Sequence, residues 1–209
     1  MVITMAQYFL LSAKARTLSL AKVMRLSDQE ACDSFKEVRW ASTSGDPVCP
    51  RCGCMTVYEY RSRRVFNCKG CGSQFSLTTA TIFASRKLPI RDLLAAIAIV
   101  VNGAKGISEL QLSRDLDVQY KTAFVLAHRL RDAMGAEQKG RKLSGTVEID
   151  GAYFGGYVNP ESRKEHQSGK RRTVVIMRER YGRSLPFVFQ REDDAAPTIR
   201  ARAMPGTTI

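Results

Sequence analysis

The sequence predicts an α+β multidomain chain: a cysteine-clasped zinc ribbon, a helix-turn-helix unit, and then a strand-rich α/β segment. Three observations predict it. Two Cys-x-x-Cys pairs, Cys49/Cys52 and Cys68/Cys71, are separated by fifteen residues. Helical apolar periodicity recurs three times between Pro89 and Met134. From Val147 onward the period changes to two, in short apolar runs broken by glycine.

Composition narrows the partners. At 209 residues the chain holds one large or two to three small domains, and 44% hydrophobic content is enough for a core. A net charge of +13 with a pI near 9.8 points to a polyanion, most simply nucleic acid; a merely soluble basic protein is the plainer reading. Met1 to Ala13 is apolar but lacks the basic flank of a signal peptide, and no apolar run reaches membrane length. Five of the six cysteines fall within 23 residues. The compartment is therefore read as reducing, where clustered cysteines favour metal over disulfides.

Residues 1–47 form an N-terminal helical segment. Leu18, Leu20, Val23 and Met24 line one helix face. Ser27-Asp28-Gln29-Glu30 is a capping box that opens a helix reaching Trp40, with Ala31, Phe35, Val38 and Arg39 along it. Ala41 to Pro47 is small and polar and reads as a linker.

Residues 48–84 form the ribbon. Cys49, Cys52, Cys68 and Cys71 supply four thiolates for tetrahedral zinc, with an iron–sulfur centre or a redox pair as the lesser readings. Two intervening residues let both sulfurs of a pair face one ion, and Gly53 and Gly72 permit the tight knuckle. Cys54 does not fit the paired spacing and is left out; Cys32 reads as a buried apolar residue. Four thiolates leave no open position, so the role is structural, and a ribbon this small needs it. Val57, Tyr58, Tyr60, Val65 and Phe66 give a hairpin pattern, and Phe75 to Phe83 completes the ribbon or leads out of it. Arg51, Arg61, Arg63, Arg64 and Lys69 make its surface basic, for phosphate contact or as a solvated face.

Residues 88–135 carry three helices. Pro89 sits in the first turn of one that runs Ile90 to Val101. A second spans Ser108 to Leu116, Asp117-Val118 turns, and a third spans Gln119 to Met134 with Ala123, Phe124, Ala127, Leu130 and Met134 inward. The short turn matches a helix-turn-helix, whose third helix would offer Gln119, Tyr120, Lys121 and Thr122, with Arg129 and Arg131, to bases and phosphates. A plain three-helix packing module fits the same pattern. His128 reads as a phosphate or core contact rather than a metal ligand. Gly135 to Gly145 reads as a linker.

Residues 146–209 change character. Val147 to Asp150 is a short strand ending in a carboxylate, followed by a turn at Gly151, Gly155 and Gly156. Such a carboxylate is a hard oxygen ligand for a divalent ion, although most Asp-Gly pairs are only turns. Tyr157 to Arg172 is a charged loop, Thr173 to Arg180 a buried strand, Tyr181-Gly182 a turn and Ser184 to Gln190 a third strand. Asp193-Asp194 caps a helix from Ala195 to Ala203, Pro205-Gly206 ends it, and Thr207 to Ile209 begin a further strand.

Taken in order, Arg39-Trp40, Cys49-Pro-Arg-Cys52-Gly, Cys68 to Cys71, Gln74-Phe75-Ser76, Lys121-Thr122-Ala123, His128-Arg129 with Arg131, and Asp150-x-x-Tyr153-x-Gly155-Gly156 resemble an insertion-sequence transposase. The resemblance is to the ISXO-type group, which carries a zinc ribbon ahead of a DDE catalytic domain. It implies an RNase H-like fold in which carboxylates hold two ions, Mg or Mn, with Asp150 as the first of them. The second carboxylate would lie on the fourth strand and the third on a later helix. The chain stops at Ile209, so it is expected to supply one of three carboxylates and to be a truncated copy, inactive alone. Asp193 and Asp194 precede the helix and read as capping, not as the second carboxylate. The implied partner is double-stranded DNA, at element ends and target, with a possible homo-oligomer in the bacterial cytoplasm near the nucleoid. The alternative is a non-catalytic zinc-ribbon/helix-turn-helix DNA-binding protein or transposition regulator. An RNA-associated ribbon is weaker, because a helix-turn-helix suits the duplex major groove.

Overall fold

The computed structural model describes residues 9–60, 62–85, 87–103, 105–155, 172–180 and 182–209. They divide into one unit that ends at Glu137 and another that begins at Gln138. Gly156, the basic loop 157–171, Arg61 and Tyr181 lie outside the described residues.

In the first unit each of the opening helices starts on a serine. Ser12, Ser19 and Ser27 accept backbone N–H bonds at the starts of α1 (Ala13–Arg16), α2 (Leu20–Met24) and α3 (Asp28–Arg39). At α3 the capping box is complete: Ser27 Oγ accepts from Glu30 N at 3.3 Å, and the Glu30 carboxylate accepts from Ser27 N at 2.8 Å. α3 buries Ala31, Cys32, Phe35 and Val38, a stripe at helical spacing. Phe35 meets Phe9 at 6.1 Å and Phe83 at 6.0 Å, edge-on in both cases. The segment before Ser27 is thus core-forming. Leu11 N donates to the Glu137 carboxylate, Asn102 Nδ2 to Leu18 O, and Arg91 to Leu26 O.

Residues 41–47 are not a spacer. Trp40 is buried and stands edge-on to Phe66 at 5.7 Å, and Phe66 stacks on Phe75 at 5.3 Å. The chain folds back through a 3-10 turn, Ala41–Thr43, with Ser44 and Gly45 left-handed and Gly45 N bonded to Trp40 O. Small polar residues serve this fold-back rather than a separation. The ribbon sheet is β1 (Val57–Tyr60), β2 (Val65–Cys68) and β3 (Gln74–Ser76), antiparallel in that order. One apolar core runs from α3 through Phe66 and Phe75 to α4 (Ile90–Asn102) and α6 (Tyr120–Gln138). Pro89 is the N-cap of α4, one position earlier than expected. α5 (Glu109–Asp115) follows a Ser108 cap, and Asp117 at φ 50 turns the chain into α6.

α6 departs from the sequence expectation in two ways. It runs to Gln138, through the start of the expected linker, because Ala133 and Glu137 extend the buried stripe of Leu126 and Leu130. Phe124, expected inward, is 42% exposed; Ala123, Leu126 and Ala127 fill that face instead.

Arg39 joins α3 to the exit of the ribbon. It is buried, and its guanidinium donates to the carbonyls of Ser76 (3.0 Å), Leu77 and Thr79 (2.7 Å) while lying 4.6 Å over the Trp40 ring. Burial lowers its pKa to about 10, so it stays charged at neutral pH. Carbonyl dipoles, not a carboxylate, hold that charge.

The second unit is an antiparallel sheet in the order β4 (Val147–Phe154), β5 (Arg172–Glu179), β6 (Ser184–Phe189). Val147, Met177 and Leu185 form its core with Leu143, joined by Ile149, Phe187 and Ile199 of α7 (Ala196–Arg202). β4 is longer than expected. It continues past Asp150, with Gly151 opposite Val175 and Phe154 opposite Arg172, and the left-handed glycine is Gly155 at φ 119. A Cβ at Gly151 would lie 3.1 Å from Oε1 of the exposed Glu192 side chain, which passes over it. The expected aspartate cap is not formed. Among the described residues no side chain caps α7; a 3-10 turn, Asp193–Ala195, leads into it, and Asp194 accepts from Arg191 N. The last residues return parallel to β4, with Val147 N donating to Thr208 O at 2.8 Å and Thr208 N to Gly145 O at 2.9 Å.

Arg39→Met is expected to cost the first unit about 2–4 kcal/mol, because one buried and two part-buried carbonyls lose their donor. The check is a lower urea midpoint for the zinc-loaded protein at an unchanged m-value.

Candidate metal centre and carboxylate site

The two cysteine knuckles are local copies of each other. Gly53 N donates to Cys49 O and Gly72 N to Cys68 O, both at 2.9 Å; Cys49 N donates to Cys54 O and Cys68 N to Ser73 O, both at 3.0 Å. Gly53 at φ 74 and Gly72 at φ 68 make the same left-handed step, with open space around both. The four sulfurs of Cys49, Cys52, Cys68 and Cys71 lie within 4.8 Å of one another. Cys49 and Cys71 are 3.7 Å apart and Cys52 and Cys68 3.5 Å. Tetrahedral zinc with Zn–S bonds of about 2.3 Å sets sulfurs roughly 3.8 Å apart, so the arrangement fits structural zinc.

The thiols are held unequally. Burial raises Cys68, but the N–H groups of Cys71 and Gly70 and the Cys52 thiol outweigh it and bring it to about 6. The Cys54 N–H lowers Cys52, but the thiols of Cys68, Cys71 and Cys49 outweigh it and push it up to about 12. Metal binding must therefore release protons, and acid opposes it.

Cys54 occupies the place in its knuckle that Ser73 occupies in the other, and it is outside the sulfur cluster. Its Sγ lies 3.8 Å from Thr56 O. A Cβ on Gly70 would come within 3.2 Å of the Cys54 side chain, so the glycine between Cys68 and Cys71 makes room for it. Cys32 is buried, and burial pushes its thiol up.

Of the candidate DNA contacts, Gln119, Tyr120 and Lys121 stand exposed at the start of α6, and Thr122 is half-buried. Arg129 donates to Ile82 O at 3.3 Å. Arg131 pairs with Glu109, whose carboxyl is lowered by it, and donates to Ile107 O at 2.9 Å. Both arginines thus have internal partners. His128 packs on Phe124 at 4.3 Å.

Asp150 is exposed in the middle of β4, opposite Ile176, and its Oδ1 accepts from Gly151 N at 2.9 Å. Glu148, two residues earlier, is tied to Arg180 at 2.9 Å. Among the described residues no cluster of three metal-binding side chains includes Asp150. Tyr153 Oη donates to Glu192, whose side chain crosses Gly151. The motif spacing marks Tyr153; nothing in the sequence marks Glu192.

Zinc analysis of the purified protein is expected to find one ion per chain. Cys49→Ser or Cys68→Ser abolishes it, Cys54→Ser keeps it, and acidification releases it.

Residues 26–74 match the family described as transposase zinc-ribbon domain, and residues 142–209 match the ISXO2-like transposase domain. The chain is 30% identical over 131 residues to a Halobacterium salinarum protein named "Uncharacterized protein in transposable element ISH50". That alignment covers 61% of this chain and 42% of the relative, so the chain spans less than half of that relative's length. No solved structure matches. With both matches lying in the order that the ribbon and the sheet unit occupy along it, the chain belongs to the ISXO2-like insertion-sequence transposases that carry a zinc ribbon.

Proposed function

We propose that the chain binds the DNA of its own element and supplies the leading portion of the catalytic domain that, in the complete transposase, cuts and joins phosphodiester bonds. The ribbon at 48–84 and a helix-turn-helix at 88–135 bind duplex DNA, and 146–209 begins an RNase H-like DDE domain. The observation that carries this is the placement of Asp150. An exposed carboxylate stands mid-strand on β4, and the residues after α7 return parallel beside that strand. The family resemblance puts its second carboxylate on such a strand.

Divalent ions held there, Mg or Mn, would activate water or a 3′-hydroxyl and stabilise the leaving oxygen. Asp150's role is to hold them, with one oxygen steadied by the Gly151 N–H. The two further carboxylates implied by the resemblance complete the site. A homo-oligomer in the bacterial cytoplasm, close to the nucleoid, belongs to the same reading. A second reading, a DNA-binding regulator without catalysis, is favoured by the lack, among the described residues, of a three-ligand cluster around Asp150.

In a complete transposase containing this sequence, Asp150→Ala is expected to lower Mg-dependent cleavage of element ends by several orders of magnitude while DNA binding persists. Full activity in that variant would sink the catalytic reading. Duplex binding by the present chain should weaken with salt at a log–log slope of about −0.9 per phosphate contacted, and Lys121→Ala should reduce the slope by about one contact.

A further inference from the structure

We propose that the outer face of the ribbon sheet is a stacking platform for unpaired DNA bases. It is a site separate from the duplex-reading helix. The sheet uses one face for the core: Phe66, Cys68 and Phe75 are buried there. The other face carries Tyr58 and Tyr60, 58% and 41% exposed, with ring centroids 5.3 Å apart. The strand register places Asn67 and Gln74 in the row of Tyr58, and Val65 and Ser76 in the row of Tyr60. Among the described residues of the three strands, none on this face is acidic. Glu59, between the tyrosines, points to the opposite side and is held by Lys36 at 3.1 Å.

The surroundings select the ligand. Arg63 stands exposed at the hairpin tip, in no ion pair among the described residues, and suits a phosphate backbone, whereas its neighbour Arg64 lines the α3 side of the sheet with Asp33, Lys36 and Glu59. Two exposed aromatic rings add nothing to the buried core, whereas base–aromatic stacking is a strong, sequence-tolerant interaction. Bases in a duplex keep their faces covered by their neighbours, so the platform takes single strands. DNA rather than RNA follows from membership of a transposase family.

The test uses the zinc-loaded 209-residue chain and a fluorescein-labelled oligothymidylate of about ten nucleotides, read by anisotropy. The Tyr58→Ala/Tyr60→Ala double variant is expected to bind it roughly tenfold to a hundredfold more weakly, at unchanged zinc content. The Tyr58→Phe/Tyr60→Phe variant keeps both rings and should bind within about twofold of the parent. The part of duplex binding carried by α6, the part that Lys121→Ala removes, should be the same in all three proteins. The proposal is overturned if the alanine variant binds the oligomer as the parent does, or if the phenylalanine variant loses as much as the alanine one. It is equally overturned by a clear preference for the ribo-oligomer, or if the tyrosines prove to drive self-association instead. Loss of duplex binding with oligothymidylate binding intact would count against the duplex reading alone.

Discussion

The ribbon's place in the first unit depends on four thiolates converging on one point. A ribbon of three strands, each three or four residues long, buries too little apolar surface to hold its own shape. The two knuckles fix the start of β1 against the Cys68 end of β2 and the start of β3, and so present Phe66 and Phe75 as one stacked surface. Trp40 closes on that surface from α3, and the Phe9–Phe35–Phe83 cluster extends it toward α4. The metal centre therefore organises more than its own loops.

Arg39 supplies the second fastening, by different physics. A buried charge without a carboxylate is normally costly, and here three carbonyls and an aromatic face share it. Because those carbonyls belong to the segment leaving the ribbon, one side chain fixes both the end of α3 and the direction in which the chain sets out toward α4. The shared core and this tie explain why Arg39-Trp40, well ahead of the first cysteine, belongs with the ribbon's signature.

Much of this was legible in the residues. The cysteine spacing, the Ser27–Glu30 box and the helical runs after Pro89 each have a local physical cause, and each reads directly. What escaped the sequence depends on distant partners. Phe124 has the right period for a core position, but Ala123, Leu126 and Ala127 take that face. Gly151 looks like a turn residue and is instead the space that Glu192 crosses. Arg39 could be placed on a helix face, but not matched to carbonyls 37 to 40 residues away. The carboxylate site was legible only as a motif; its mid-strand position follows from pairing with β5.

The larger core of the first unit also bears on descent. A ribbon with its own core can be spliced from one gene to another as a cassette. This one lends Phe66, Phe75 and Cys68 to a core whose other half comes from helices on both sides of it in the chain. A recombination junction inside that span would leave two fragments, each with half a core. One falling near Gln138 would separate pieces that each keep their own apolar centre. Inheritance should therefore keep together the stretch from Phe9 to Ala133 that builds this core.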